Sequence, residues 1–170
     1  SEKVLVMKVF VAVLVLIFSL QSWTKADDIR DFQIEGISIG DSLLLYETKQ
    51  NIEANILTDY KSNIYSRFNL TSVPFDIYDY VQVHFRTNDK NYIIVSVSGG
   101  IEFKNKFDEC LKKRDEVIKD LSAILPDAET KDYPASPWLE VDSSGETFTA
   151  QFAFWLENED LIEVACYDWS

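Results

Sequence analysis

IYDYVQVHFRTNDKNYIIVSVSGG, residues 77–100, is the stretch on which the fold turns. Ile77, Val81, Val83 and Phe85 share one parity, and after the turn-forming run Asn88-Asp89-Lys90-Asn91 the series continues through Ile93, Val95 and Val97. Period-two alternation on both sides of a short polar turn is the signature of an antiparallel hairpin with one buried face. Gly99-Gly100 ends it.

Beyond the hairpin, the period changes to helical. Phe107, Cys110, Leu111, Val117, Ile118, Leu121 and Leu125 fall on one stripe, which predicts a helix over about 105–125 that Pro126 stops. Alternation returns in 147–156, with Phe148, Ala150, Phe152, Phe154 and Leu156 on one face, and in 161–169, with Ile162, Val164 and Cys166 on one face. Glu157-Asn158-Glu159-Asp160 is the turn between them. Residues 128–133 add an edge strand in this reading, and 134–145 are loop. Toward the N-terminus, 31–39 is extended and ends at Gly40, Asp41 or Ser42 caps a short helix through Leu43–Leu45, and Thr48 caps another over 49–57. Residues 60–76 have no clean period and contain Pro74, so they read as a long connection with room for one irregular edge strand. These patterns predict an α+β fold: an antiparallel sheet of about four to six strands with helices packed on one face. A faint helix-then-hairpin echo links 41–98 with 105–168.

The N-terminus places the domain. Met7-Lys8, the apolar run VFVAVLVLIFSL (9–20) and QSWTKA (21–26) follow the plan of a secretory signal: basic start, apolar core, small-residue cleavage site. Met7 is the sole methionine and reads as the natural initiator, with cleavage after Ala26. The alternative, an anchor left uncleaved, needs roughly 20 apolar residues; the run is shorter, and Lys8 interrupts any extension. Residues 27–170 then form a single exported domain of 144 residues, large enough for a core of its own. Losing the signal removes three lysines and one glutamate, taking the formal net charge from −13 to −15. Such a chain repels phosphate backbones and anionic membrane surfaces, so neither nucleic acid nor membrane is an expected partner of the mature protein. Cys110 and Cys166, one on the helix stripe and one on the inward parity of the last strand, are expected to form a disulfide in an oxidising compartment.

The run Ile34-Glu35-Gly36-Ile37-Ser38-Ile39-Gly40-Asp41-Ser42-Leu43-Leu44 and the terminus Ala165-Cys166-Tyr167-Asp168-Trp169-Ser170 resemble those of small uncharacterised exported proteins of Pelagibacter-like marine bacteria. That resemblance implies a Gram-negative periplasm as the address and brings no assigned activity. At fold level, a Gly-Ile-x-Ile-Gly segment entering a helix is also similar to periplasmic inhibitor and outer-membrane-assembly domains that set helices against an open antiparallel sheet. This chain lacks the lipobox of the lipoproteins among them.

Catalytic signatures are sparse. His84 is the only histidine, and Gly-x-Ser-x-Gly, His-Glu-x-x-His and Cys-x-x-Cys do not occur. The acidic turns match no spaced cation loop, so neither metal nor cofactor is expected. The informative surface is the other parity of the strands. With Val81, Val83, Phe85, Ile93, Val95, Phe152, Phe154 and Val164 facing the helices, Tyr78, Tyr80, His84, Tyr92, Trp155, Tyr167 and Trp169 face away, alongside Gln82, Ile94, Thr149, Gln151 and Glu163. Tyr and Trp give large rigid contact area with a polar handle and are enriched at binding hot spots. The expectation is a non-catalytic periplasmic or secreted binding module that takes an envelope protein, or a small apolar or basic ligand, on this aromatic face. Two alternatives compete: the segment 60–75 folds over the face and buries it, or the protein is a small carboxylate-dependent hydrolase with a site near His84.

Overall fold

A computed structural model describes residues 29–58, 63–71, 73–104, 106–157 and 159–169; the expected signal, 1–26, lies outside them. After a 3-10 turn at Ile29–Asp31 come β1 (Gln33–Ile34), β2 (Ile37–Ser38), a 3-10 helix at Leu43–Leu45, and α1 (Lys49–Asn55). Strands β3 (Tyr65–Leu70), β4 (Tyr80–Arg86) and β5 (Ile94–Gly100) follow. Helix α2 (Phe107–Ile124) then leads into β6 (Glu129–Pro137), β7 (Phe148–Trp155) and β8 (Leu161–Asp168). The fold is α+β and mostly strand, but the one sheet expected from the sequence is three antiparallel sheets: β1-β2, β3-β4-β5 and β6-β7-β8.

Local chemistry sets the element ends. Ser42 Oγ accepts from Leu44 N at 3.3 Å, and Thr48 Oγ1 accepts from Asn51 N at 3.3 Å, so both expected caps are present. Helix α1 stops at Asn55, short of the expected Leu57, because Leu57 and Arg67 exchange two backbone hydrogen bonds of 3.0 Å across the edge of β3. That edge strand is regular and lies within the stretch read as a connection, pairing in register with β4 from Tyr65↔Arg86 to Leu70↔Val81. The β1-β2 turn places Glu35 at φ 53° and Gly36 at φ 78°, the two left-handed positions of a tight hairpin turn.

The first half carries the main core. Ile37, Leu43, Ile52, Phe68, Leu70, Val81, Val83, Phe85, Tyr92 and Ile94 form one buried cluster, each large aliphatic or aromatic side chain stabilising by about 1.5–3 kcal/mol relative to exposure. The parity expected for β5 slips here. A register shift between His84 and Phe85 brings Ile94 opposite Phe85, so Ile94 is buried while Ile93 and Val95 are exposed. The extra residue, Val95, breaks the alternation, so the residues that precede it in the strand exchange faces.

The second half is thinner. Leu125, Ala150, Ala153, Phe154 and Cys166 are its buried apolar residues, and no residue of α2 is fully buried. The expected Cys110–Cys166 pair is bonded, with S–S 2.09 Å and Cα–Cα 6.0 Å, tying α2 to β8. Arg114 of α2 reaches Asp132 of β6 at 3.6 Å. Strand β6 is longer than the edge strand expected over 128–133: it continues through Pro134 to Pro137 with all nine residues exposed, taking in residues read as loop. Among the described residues, no helix is long and apolar enough to cross a membrane.

Candidate functional site: an aromatic sheet face

Tyr78 and Tyr80 sit on opposite faces of the first sheet, and the glycine pair explains how. A Cβ on Gly99 would fall 2.5 Å from the Tyr78 ring, and one on Gly100 would overlap the Tyr80 ring, so only glycine lets both rings lie against β5. Tyr78 packs against the main core, whereas Tyr80 is 46% exposed on the outer face. Glu35 fixes the approach: its carboxylate accepts from the backbone of Asp76, Ile77 and Tyr78 at 3.2, 2.7 and 3.2 Å. Those hydrogen bonds, Ile77's first, hold its carboxyl below the usual range. Asp79 completes the fastening, donating its N–H to Gly100 O at 2.9 Å and accepting from Glu102 N at 2.7 Å.

His84 lies on the outer face beside its cross-strand partners Arg67 and Ser96. Burial, and then the Arg67 charge, lower its pKa, so the imidazole is neutral near pH 7. Tyr92 is elsewhere. It is buried, at φ 51°, with its ring edge-on to Phe85 at 5.4 Å and its hydroxyl donating to Glu53 Oε1 at 3.3 Å. Coming straight out of the turn in a left-handed conformation, it belongs to the core and not to the expected face. Residues 65–70 lie beside β4 as a strand of the same sheet.

The densest aromatic group is on the second sheet. Tyr167 pairs with Thr149 across β7-β8, the face opposite Cys166, and its ring stacks on Trp169 at 5.8 Å and 22°. Trp138 closes the triangle, 5.4 Å from Tyr167 and 5.6 Å from Trp169. Centroids this close leave no cavity between the rings, so the three form a ledge, with Trp169 66% exposed. Gln151 Nε2 donates to the Tyr167 hydroxyl at 3.3 Å. Burial raises the Tyr167 pKa, opposed by the Gln151 hydrogen bond and reinforced by the charge of Glu163. Burial likewise raises Glu163. Beneath the ledge, the Thr149 hydroxyl is buried without a hydrogen-bond partner.

Trp155 shares this outer face but pairs with Leu161 at the far end of β7-β8, six residues from the Thr149↔Tyr167 pair and roughly 20 Å away along the strands. Of the seven expected face residues, the structure thus groups Tyr167 and Trp169, leaves Tyr80, Trp155 and His84 apart on outer faces, and places Tyr78 and Tyr92 with the core. Trp138 is the member that sequence reasoning missed. It lies just past β6, where Asp142 folds the chain back: its carboxylate accepts from the Ser144 hydroxyl and from the backbone of Ser144, Glu146 and Thr147. Trp138 N then donates to Thr147 O at 2.8 Å. The Asp-Ser-Ser-Gly run at 142–145 was the available sign of a tight return.

The part of the chain that builds the ledge is acidic. Beyond Lys131 the chain carries nine Asp or Glu residues and no Lys, Arg or His. Among the described residues no group of three or more His, Cys, Asp or Glu side chains is placed to hold a metal ion. Comparison with family models, with curated proteins and with solved structures finds no match.

Proposed function

We propose that this protein is a non-catalytic, extracytoplasmic binding module that captures an envelope partner on the outer face of its second sheet. The observation that carries the reading is the ledge of Trp138, Tyr167 and Trp169: three packed aromatic side chains, partly exposed, above an unsatisfied buried hydroxyl. Rigid aromatic surface with polar handles at its edge is what binding hot spots use. The reading takes α2 to cover the opposite face, as the bond to Cys166 and the reach of Arg114 to Asp132 suggest. It takes residues 1–26 as a cleaved export signal and 27–170 as the exported domain, which suits a disulfide kept in an oxidising compartment. Kinship with the small exported proteins of Pelagibacter-like marine bacteria rests on the runs at 34–44 and 165–170 and fits the same address.

The test is photo-crosslinking in envelope extract of the source cell, with a reactive group at Gln151 and, in parallel, in a Trp138→Ala/Trp169→Ala variant shown folded by circular dichroism. One discrete adduct formed by the parent and lost in the variant is the expected result. Equal crosslinking by both proteins, or none by either, refutes the reading.

A further inference from the structure

We propose that β8 takes an extended basic peptide as an added strand, with the aromatic ledge gripping a cationic side chain at its C-terminal end; the inference rests on the binding-face reading above. Exposed strand edges are templates for pairing, and proteins normally guard them. Three of the four outer edges of the two larger sheets are guarded here. Leu57 pairs with Arg67 on β3. Gly40 and Asp41 hydrogen-bond to Ile94 of β5 at 2.8 Å each, and the β1-β2 hairpin contacts the same strand. Strand β6 carries Lys131, Pro134, Pro137 and an irregular register between Tyr133 and Ser136, all of which discourage pairing.

Strand β8 has α2 lying against it and carries Glu163 and Asp168, but among the described residues no strand, proline or lysine guards its outer edge. It runs eight residues without proline or lysine and pairs in unbroken register with β7, its only strand neighbour among the described residues. The bond to α2 leaves from Cys166, on the face opposite Tyr167, and not from the edge. An added strand would satisfy the open backbone groups through main-chain hydrogen bonds, the mode of β-augmentation.

Charge selects the occupant. Every ionisable side chain from Asp132 onward that is charged at neutral pH is acidic, and Glu157, Glu159, Asp160, Glu163 and Asp168 lie on β8 or its leading turn. A second copy docking edge to edge would set these carboxylates against their own kind. A strand with alternating Lys or Arg would be attracted, and Trp169 and Tyr167 offer ring faces on which a guanidinium stacks.

The test titrates the full, oxidised chain with acetyl-(Thr-Arg)4-amide, with acetyl-(Thr-Glu)4-amide, and with two forms of the basic peptide, N-methylated on every Thr or on every Arg amide. Calorimetry and tryptophan fluorescence give affinity, and hydrogen exchange gives protection at each amide. The expected result is binding of the basic peptide alone, a loss of about tenfold or more for one methylated form while the other stays within about twofold, and slowed exchange over Leu161–Asp168. An added strand pairs through one edge only, so just one set of its N–H groups is needed. Equal affinity of all three basic peptides, unchanged exchange over β8, or no binding of the basic peptide overturns the proposal. Should the crosslinked adduct depend on Trp169 while the peptides fail, strand addition falls and the binding face stands; loss of both refutes both.

Discussion

Replacing both cysteines, as Cys110→Ala/Cys166→Ala, should unfold the second half of the molecule selectively. The bond closes a loop with a sequence separation of 56 residues, and the loop-entropy relation puts the constraint it imposes on the unfolded chain at about 4 kcal/mol. Little in the native packing offsets that loss, since α2 buries no residue fully. The first half has its own ten-residue buried cluster and does not include the bond. Tryptophan separates the halves: residues 29–104 contain none, whereas Trp138, Trp155 and Trp169 all lie in the second half. In a Trp23→Phe background, urea unfolding followed by tryptophan emission reports the second half alone. With a slope of at most about 3 kcal/mol/M, the midpoint should fall by at least about 1.4 M, and further for a shallower slope. Hydrogen exchange over β3-β4-β5 should stay unchanged. An unmoved tryptophan midpoint, or equal loosening of both halves, refutes the reasoning that the bond holds the second half.

Three further outcomes follow from particular contacts. Gly100→Ala should cost about 1–3 kcal/mol by forcing the Tyr80 ring aside, and the cost should shrink in a Tyr80→Ala background; a double-mutant cycle in chemical denaturation that shows additivity refutes the contact. Tyr92→Ala should destabilise by about 3–5 kcal/mol as a core truncation, whereas Trp169→Ala, at an exposed ring, should leave the unfolding midpoint nearly unchanged while weakening partner capture. Hydrogen bonds from Ser144, Thr147 and Glu146, the Ser144 hydroxyl's first, hold Asp142 well below the usual carboxylate range. With the folded pKa below the unfolded one, the loop's stabilisation is fully present above about pH 4 and is lost as pH falls through the folded value. Exchange of the Trp138 amide should therefore reveal acid loosening that Asp142→Asn removes.

The legible parts of the fold are those where one physical rule governs a whole segment. The β4-β5 hairpin, the helix ending before Pro126 and the Cys110–Cys166 pair follow from period, breaker and parity, and the structure contains each. The failures arise where a backbone irregularity overrides the period. One extra residue in β5 reversed the faces of Ile93, Ile94 and Val95, and no side-chain pattern announces a bulge. The left-handed φ of Tyr92 at the turn exit removed it from the face its parity assigned. Strand β6 is exposed at all nine positions and holds two prolines, so it shows neither alternation nor β propensity, and pairing with β7 alone makes it a strand. Trp138 was lost with it. The expected single sheet failed for a different reason: periodicity marks single strands such as β4, β7 and β8, but which strands become neighbours depends on contacts that no local pattern records.

The order of elements gives those contacts a rationale. α1-β3-β4-β5 and α2-β6-β7-β8 have the same order, and both sheets are meanders with the middle strand in chain order at the centre, which gives the faint echo in the sequence a structural counterpart. The halves solve their stability differently. The first closes a continuous core with Phe68, Phe85 and Tyr92. The second spends much of its aromatic surface outward, in Trp138, Tyr167 and Trp169, and so has fewer large side chains left to bury. A covalent bond between helix and edge strand compensates for what those outward rings do not contribute. The ledge and the staple are then two consequences of one choice. Strand β8 carries both on successive residues, Cys166 toward α2 and Tyr167 away from it, so the bond that restrains the thin half also sets the position of the strand that presents the aromatic ledge.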